Sequence, residues 1–74
     1  MNFRDLEYLV AVADLGHFGR AAVHCHVSQS ALSLQLQKLE GELGVQLIER
    51  TSRRVVVAAA GRALVERARG IIRV

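Results

Sequence analysis

The apolar residues in the first third of the chain recur at the three- and four-residue spacing of an amphipathic helix. Asn2 is suited to cap this helix, and Asp5 places a negative charge near its positive end. Gly16 is a natural end, because glycine reaches left-handed backbone angles without penalty. The pattern predicts a first helix with a buried face made of Phe3, Leu6, Leu9, Val10 and Ala13.

A short second helix and a tight turn are predicted next. The helix runs from about Phe18 to Cys25, and its small residues Ala21 and Ala22 let a neighbouring helix approach closely. His26 lies in the turn, at a position where a helix-turn-helix generally has glycine. Histidine tolerates left-handed backbone angles better than most residues do, so we expect the turn to form.

The third helix is predicted from Gln29 to about Leu43, with Ser28 as its cap and Gly44 at its end. Its leucines at positions 32, 36, 39 and 43 step by four, three and four residues and form one buried stripe. The N-terminal face is rich in hydrogen-bonding groups. This is how a helix-turn-helix protein builds the helix whose first residues are directed at DNA base edges. Off the stripe lie Gln29, Ser30, Ser33, Leu34 and Gln37.

The pattern changes after Gly44, where β-branched residues flank a polar, basic tip. This predicts a two-stranded hairpin, or wing, followed by a last amphipathic helix beyond Gly61. The predicted fold class is mainly α with a small β-hairpin. It comprises a winged helix-turn-helix DNA-binding domain over residues 1–58 and the start of an amphipathic linker helix over residues 59–74. The inner face of that helix is predicted to contain Ala60, Leu64, Ala68 and Ile71.

Composition and charge narrow the function classes. Apolar residues form 51% of the 74-residue chain, too many for a disordered tail, and the longest apolar run has six residues. We therefore expect neither a signal peptide nor a membrane span. A single cysteine excludes an internal disulfide and fits a reducing cytoplasm. Residues 47–74 carry seven arginines against two glutamates, whereas residues 1–46 carry three basic residues against five acidic ones. Such an arginine-rich segment suits phosphate and minor-groove contacts.

The order of these elements resembles the LysR-type transcriptional regulators over essentially the whole chain. The stretches that carry the resemblance are Leu6–Leu9, His17-Phe18 followed by Ala21-Ala22, Val27–Ser33, Leu39-Glu40, Leu43-Gly44 and Leu47–Arg50. The peroxide-responsive OxyR branch of that family is closer still in pattern, at Arg4–Ala11, Cys25–Gln29 and Glu49–Arg53.

The resemblance implies a bacterial, cytoplasmic regulator that binds double-stranded DNA at a dyad-symmetric site. It implies a homodimer formed through the linker helix and a tetramer for the full-length protein. No glycine-rich phosphate loop appears in the sequence, and we predict no cofactor. A C-terminal effector domain, which would hold the oxidant-sensing cysteines of the OxyR branch, is absent from this chain. Membership of that branch would make oxidative-stress genes the regulated set.

Candidate site residues fall into three groups. Base-edge contacts are expected from Gln29, Ser30 and Ser33, because a glutamine amide pairs with adenine and a serine hydroxyl serves as donor or acceptor; Ser30 is included through the resemblance. Contacts to the DNA backbone or from the wing are expected from Ser28, Gln35, Lys38, Arg50, Thr51, Arg53 and Arg54. Packing across the dimer is expected from Leu64, Ala68, Ile71 and Ile72.

Two other functions are compatible with parts of the pattern. A helical protein–protein adaptor would use the same apolar stripes, without strong salt dependence and without need of the arginine-rich wing. A metal or redox enzyme would need convergent ligands and an exposed Cys25. The consecutive residues His24, Cys25 and His26 point about 100° apart on a helix and cannot converge on one ion. We therefore predict no catalytic residue and no metal site.

Overall fold

The computed structural model describes residues 1–50 and 55–72, with Arg50 described by its backbone only. In this part of the chain the elements are α1 (Phe3–Leu15), α2 (Phe18–His24), α3 (Gln29–Leu43), β1 (Ile48–Arg50), β2 (Val55–Val57) and α4 (Ala59–Ile72). The two strands pair antiparallel, with Ile48 opposite Val57. The predicted class, mainly α with a small hairpin, is confirmed.

Local side-chain contacts define where the helices begin. Asn2 accepts a hydrogen bond from the Asp5 amide at 2.9 Å, and the Asp5 carboxylate accepts one from the Asn2 amide at 3.1 Å. Both donors in this reciprocal capping box are backbone N–H groups, which have no partner inside the helix. His17 caps α2, because its Nδ1 accepts from the Arg20 amide at 3.2 Å. Ser28 caps α3 as predicted, accepting from the Ala31 amide at 3.1 Å.

The turn between α2 and α3 contains the one non-glycine residue with positive φ among the described residues, His26 at 59°. Its amide donates to the Val23 carbonyl at 3.2 Å, and the Val27 amide donates to the Ala22 carbonyl at 3.0 Å. These two bonds close the turn and hold His26 in the left-handed region, where a Cβ atom is crowded by backbone.

Replacing this histidine with glycine is expected to stabilise the fold. His26→Gly relieves the left-handed strain but adds backbone entropy to the unfolded chain, leaving a net gain of about 0.5 kcal/mol in the free energy of unfolding. Urea denaturation measures the difference. His24→Gly is the matched control, since it places glycine in a helical turn and should destabilise by about 0.5–1 kcal/mol. Destabilisation of similar size by both substitutions would contradict the prediction.

The core lies where α1 packs against α2, α3 and α4. The fully buried large side chains are Leu9, Val12, Leu32, Leu36, Leu39, Leu47 and Ile48. Two sequence predictions are wrong here. Phe3 is 51% exposed and Leu43 is 40% exposed, because the first turn of α1 and the last turn of α3 extend beyond the layer that covers them.

The face that α4 buries agrees with the predicted one only in part: Ala68 is fully buried and Leu64 is half-buried against the core. The helix begins at Ala59, before Gly61, and it buries Gly61, Val65 and Ala68. Ala60 and Ile71, predicted to face inward, are exposed. The cause is a close approach at Gly61, where an added Cβ atom would lie 2.2 Å from the Leu47 carbonyl oxygen. This contact sets the rotation of α4 about its own axis.

Candidate nucleic-acid interface

The third helix rests on the core through three leucines and leaves its opposite side open. Leu32, Leu36 and Leu39 are fully buried, whereas Ser28, Gln29 and Ser30 at the N-terminus are exposed. The Ser28 and Ser30 hydroxyl oxygens lie 3.3 Å apart, within hydrogen-bonding distance. The start of α3 therefore presents a group of hydroxyl and amide functions to solvent.

Gln29 lies beside the beginning of α2. A Cβ atom added at Gly19 would lie 3.4 Å from Gln29 Oε1 and 2.9 Å from the His17 ring carbon Cε1. The absence of a side chain at position 19 thus leaves room for both neighbours. The Gln29 side chain therefore lies next to the N-terminal end of α2.

The hairpin is attached to α3 by a carboxylate. Glu40 Oε2 accepts hydrogen bonds from the Leu47 amide at 2.8 Å and from the Ile48 amide at 3.1 Å. Gln46 adds a side-chain hydrogen bond to the Ile48 carbonyl at 3.0 Å. Bonds to a charged acceptor are stronger than neutral ones. The start of β1 therefore has a fixed position relative to the helix that presents the polar surface.

The helix residues predicted to contact DNA are all at least partly accessible to solvent. Ser28, Gln29, Ser30 and Lys38 are exposed, and Ser33 and Gln35 are half-buried on either side of the leucine stripe. The predicted wing contacts cannot be placed in the same way. The Arg50 side chain and the whole of Thr51, Arg53 and Arg54 lie outside the described residues.

The four residues predicted for dimerisation do not share one exposed face. Ala68 is fully buried in the core of this chain, so its side chain is already covered without a partner, and Leu64 and Ile72 pack against the same core. Ile71 is 61% exposed. The reason is the rotation of α4 that Gly61 imposes. Of the four, Ile71 presents the most free apolar surface.

One ion pair joins α4 to the end of α1. The Arg69 guanidinium binds the Asp14 carboxylate through both nitrogens. Its hydrogen bonds hold the pKa of Asp14 below the ordinary value of an aspartate. Both side chains are close to half-exposed, so the pair is a surface contact of small energetic weight.

The contacts of His17 and Cys25 are those of structural residues. Cys25 is half-buried at the end of α2 and packs against the core, and this burial raises the pKa of its thiol. His17 serves as a helix cap. Among the described residues, no three His, Cys, Asp or Glu side chains are grouped closely enough to hold a metal ion. Each helix in residues 1–50 and 55–72 is too short or too polar to cross a bilayer.

Two positions that shape this surface carry no special sequence pattern. His17 precedes a helix in the way serine or asparagine does, but histidine is not among the favoured caps. Glu40 looks like an ordinary solvated residue near the end of a helix. Both side chains bind backbone amides, and because nearly every residue has such an amide, residue types do not show which one is bound.

Comparison with known proteins gives consistent matches over nearly the whole chain. Residues 3–62 match the family described as bacterial regulatory helix-turn-helix protein, lysR family. The chain is 63% identical over 73 residues to the hydrogen peroxide-inducible genes activator of Pectobacterium carotovorum subsp. carotovorum. It is 62% identical over 73 residues to the DNA-binding transcriptional dual regulator OxyR of Escherichia coli strain K12. Each alignment covers 99% of this chain but 24% of the relative, so the chain spans about a quarter of the length of these proteins.

Solved structures share the fold. A full-length OxyR variant from Pseudomonas aeruginosa has a TM-score of 0.93 and 43% identity, over 97% of this chain and 24% of that one. The DNA-binding domain of CbnR, solved in complex with DNA, has a TM-score of 0.91 and 47% identity, over 97% of this chain and 83% of that one. The arrangement of four helices and a hairpin is therefore that of known regulator domains.

Proposed function

Because the chain belongs to the LysR family of bacterial regulatory helix-turn-helix proteins, we propose that it binds double-stranded DNA sequence-specifically and thereby serves transcription regulation. The observation that carries the proposal is the exposed polar N-terminus of α3, held on a buried leucine stripe beside the start of α2. A helix presented in this way fits the major groove of B-DNA. The solved CbnR complex with DNA supports the same assignment for this fold.

The predicted DNA-contact residues differ in side-chain chemistry, and their proposed roles differ accordingly. Gln29 is the first candidate for base reading, because its amide can donate and accept in one pair of bonds to an adenine edge, with Ser30 and Ser33 as hydroxyl contacts. Ser28, Gln35 and Lys38 would contact phosphate or the groove edge. Contacts to phosphate position a protein on DNA without specifying the sequence. The arginine-rich segment Arg50–Arg54, including Thr51, would bind phosphate or the minor groove.

The assembly follows from the family. We propose a winged helix-turn-helix DNA-binding domain over residues 1–58 and the start of a linker helix over 59–74. Two copies would pair through this helix, with Ile71 as the most exposed apolar contact, and bind a dyad-symmetric site. The full-length protein would be a cytoplasmic tetramer with an effector domain. The relatives named hydrogen peroxide-inducible genes activators favour oxidative-stress genes as its targets.

The proposal predicts a loss of selectivity on truncating Gln29. Gln29→Ala should reduce the preference for a selected duplex over a scrambled one about tenfold. The reason is that two hydrogen bonds from one side chain to one base contribute about 1–3 kcal/mol to the discrimination against a wrong base. Fluorescence anisotropy with both duplexes, at two salt concentrations, measures the ratio. Wild-type binding should weaken steeply with salt, since phosphate contacts release counterions.

Glu42→Ala is the control, because Glu42 is exposed at the opposite end of α3. It should keep the wild-type selectivity. Equal selectivity for all three proteins would remove Gln29 from the base contacts. Wild-type protein without salt-dependent duplex binding would refute DNA binding and leave the helical adaptor as the better interpretation.

A further inference from the structure

Leu34 is an apolar residue on the side of α3 that faces away from the core. Its side chain is 54% exposed, although the helix has a complete buried stripe at Leu32, Leu36 and Leu39. At 100° per residue, positions 30 and 34 lie on one face, opposite the centre of that stripe. Leu34 is therefore one turn, about 6 Å along the axis, beyond the exposed Ser30.

A single exposed leucine is ordinary on a protein surface, so its position supplies the argument. Helix α3 presents hydroxyl and amide groups over its first turn, and Leu34 interrupts this polar surface within the part that would enter the groove. Its side chain has no hydrogen-bonding atom. Placed against a polar base edge, it would leave a buried donor or acceptor without a partner, which is unfavourable.

The floor of the major groove offers one apolar group, the C5-methyl of thymine. A leucine side chain that covers this methyl removes apolar surface of both partners from water and blocks no hydrogen bond. We propose that Leu34 is a specificity-determining residue that packs on the C5-methyl of a thymine one helical turn from the bases read by Gln29 and Ser30. This inference rests on the proposed function, DNA binding through α3.

The test separates the methyl group from the rest of the base. Wild-type protein first selects its site from a pool of duplexes, and each thymine in one half-site is then replaced by deoxyuridine, which lacks only the C5-methyl. One replacement should weaken wild-type binding about threefold to fivefold, the value expected for one buried carbon. Leu34→Ala should bind the unmodified site more weakly and should respond less than 1.5-fold to the same replacement, an estimate from the loss of that contact.

Leu43→Ala is the matched control, because it removes the same atoms from an exposed leucine at the far end of the same helix. It should retain the full response to deoxyuridine. Circular dichroism of both variants checks that the helices are intact, and both should fold, since neither leucine is in the core.

Two results would overturn the inference in distinguishable ways. If wild type selects a site but Leu34→Ala keeps the same response to deoxyuridine, Leu34 does not read thymine, and DNA binding stands. The same conclusion follows if Leu34→Ala changes self-association of the protein and leaves the deoxyuridine response intact, because the residue then faces another protein. If wild type selects no site at all, the inference fails together with the proposed function.

Discussion

Gly61→Ala is expected to destabilise the domain by about 3 kcal/mol or more, the upper range for a substitution that overfills a packed site. A Cβ atom at this position would lie 2.2 Å from the Leu47 carbonyl oxygen and 2.7 Å from a methyl carbon of Val57. The carbonyl cannot turn aside, because it accepts a hydrogen bond from the Ala58 amide at 2.8 Å. The helix would have to move away from β1 and expose buried apolar surface. Thermal and urea unfolding followed by circular dichroism measure the loss.

The same helix provides the control. Gly70 has open space around it, so Gly70→Ala should stabilise the protein by about 0.5–1 kcal/mol through higher helix propensity. The two substitutions therefore act in opposite directions although they add the same methyl group to α4. A Gly61→Ala variant as stable as wild type would show that α4 does not approach Leu47 closely.

Glu40→Ala is expected to lower the free energy of unfolding by about 3 kcal/mol, because a hydrogen bond to a charged group contributes about 1.5–3 kcal/mol and two are lost. The Leu47 and Ile48 amides, which bond to this carboxylate, belong to fully or nearly fully buried residues. Without the carboxylate these donors have lost their acceptor. Chemical denaturation measures the change, and hydrogen exchange at the two amides should accelerate by more than the global destabilisation requires.

Glu40→Gln refines this prediction, since the amide oxygen still accepts hydrogen bonds but carries no charge; its effect should be smaller than that of alanine. The control is Glu42→Ala, which removes an exposed carboxylate that binds the Met1 ammonium group at 2.8 Å. That loss should be small because solvent screens an exposed pair. Equal effects of Glu40→Ala and Glu42→Ala would show that the carboxylate does not anchor β1.

Features set by neighbouring residues could be predicted from the sequence. The cap at Asn2, the cap at Ser28 and the glycine ends at Gly16 and Gly44 depend on contacts within one turn of helix. The tolerance of the turn for His26 was predictable for the same reason, and the structure confirms its left-handed backbone. Local rules of this kind need no knowledge of the rest of the fold.

The rotation of α4 could not be predicted, because two sets of positions one residue apart give similar apolar stripes. Ala60 and Ile71 carry more apolar surface than Gly61, so pattern alone places them inward, whereas they are exposed and Leu64 packs against the core. The deciding contact is the Leu47 carbonyl, which belongs to a distant part of the chain. A sequence pattern records side-chain polarity and not the approach of two backbones.

In the candidate site, too, the features set by neighbouring residues could be predicted and those set by the packing of the core could not. The exposed polar start of α3 was predictable, since serine and glutamine at a helix start follow directly from capping and periodicity. Leu34 was visible only as an apolar residue off the stripe, and its exposure became clear when Leu32, Leu36 and Leu39 were seen to fill the core without it.

The partial burial of Cys25 affects how this chain reacts with oxidants. Peroxide attacks the thiolate, and burial raises the pKa of the Cys25 thiol, which disfavours that reactive form. Cys25 is the one cysteine of the chain, so we expect its thiol to react slowly with peroxide. We therefore expect peroxide treatment of this chain to leave its fold and the exposed surface of α3 unchanged.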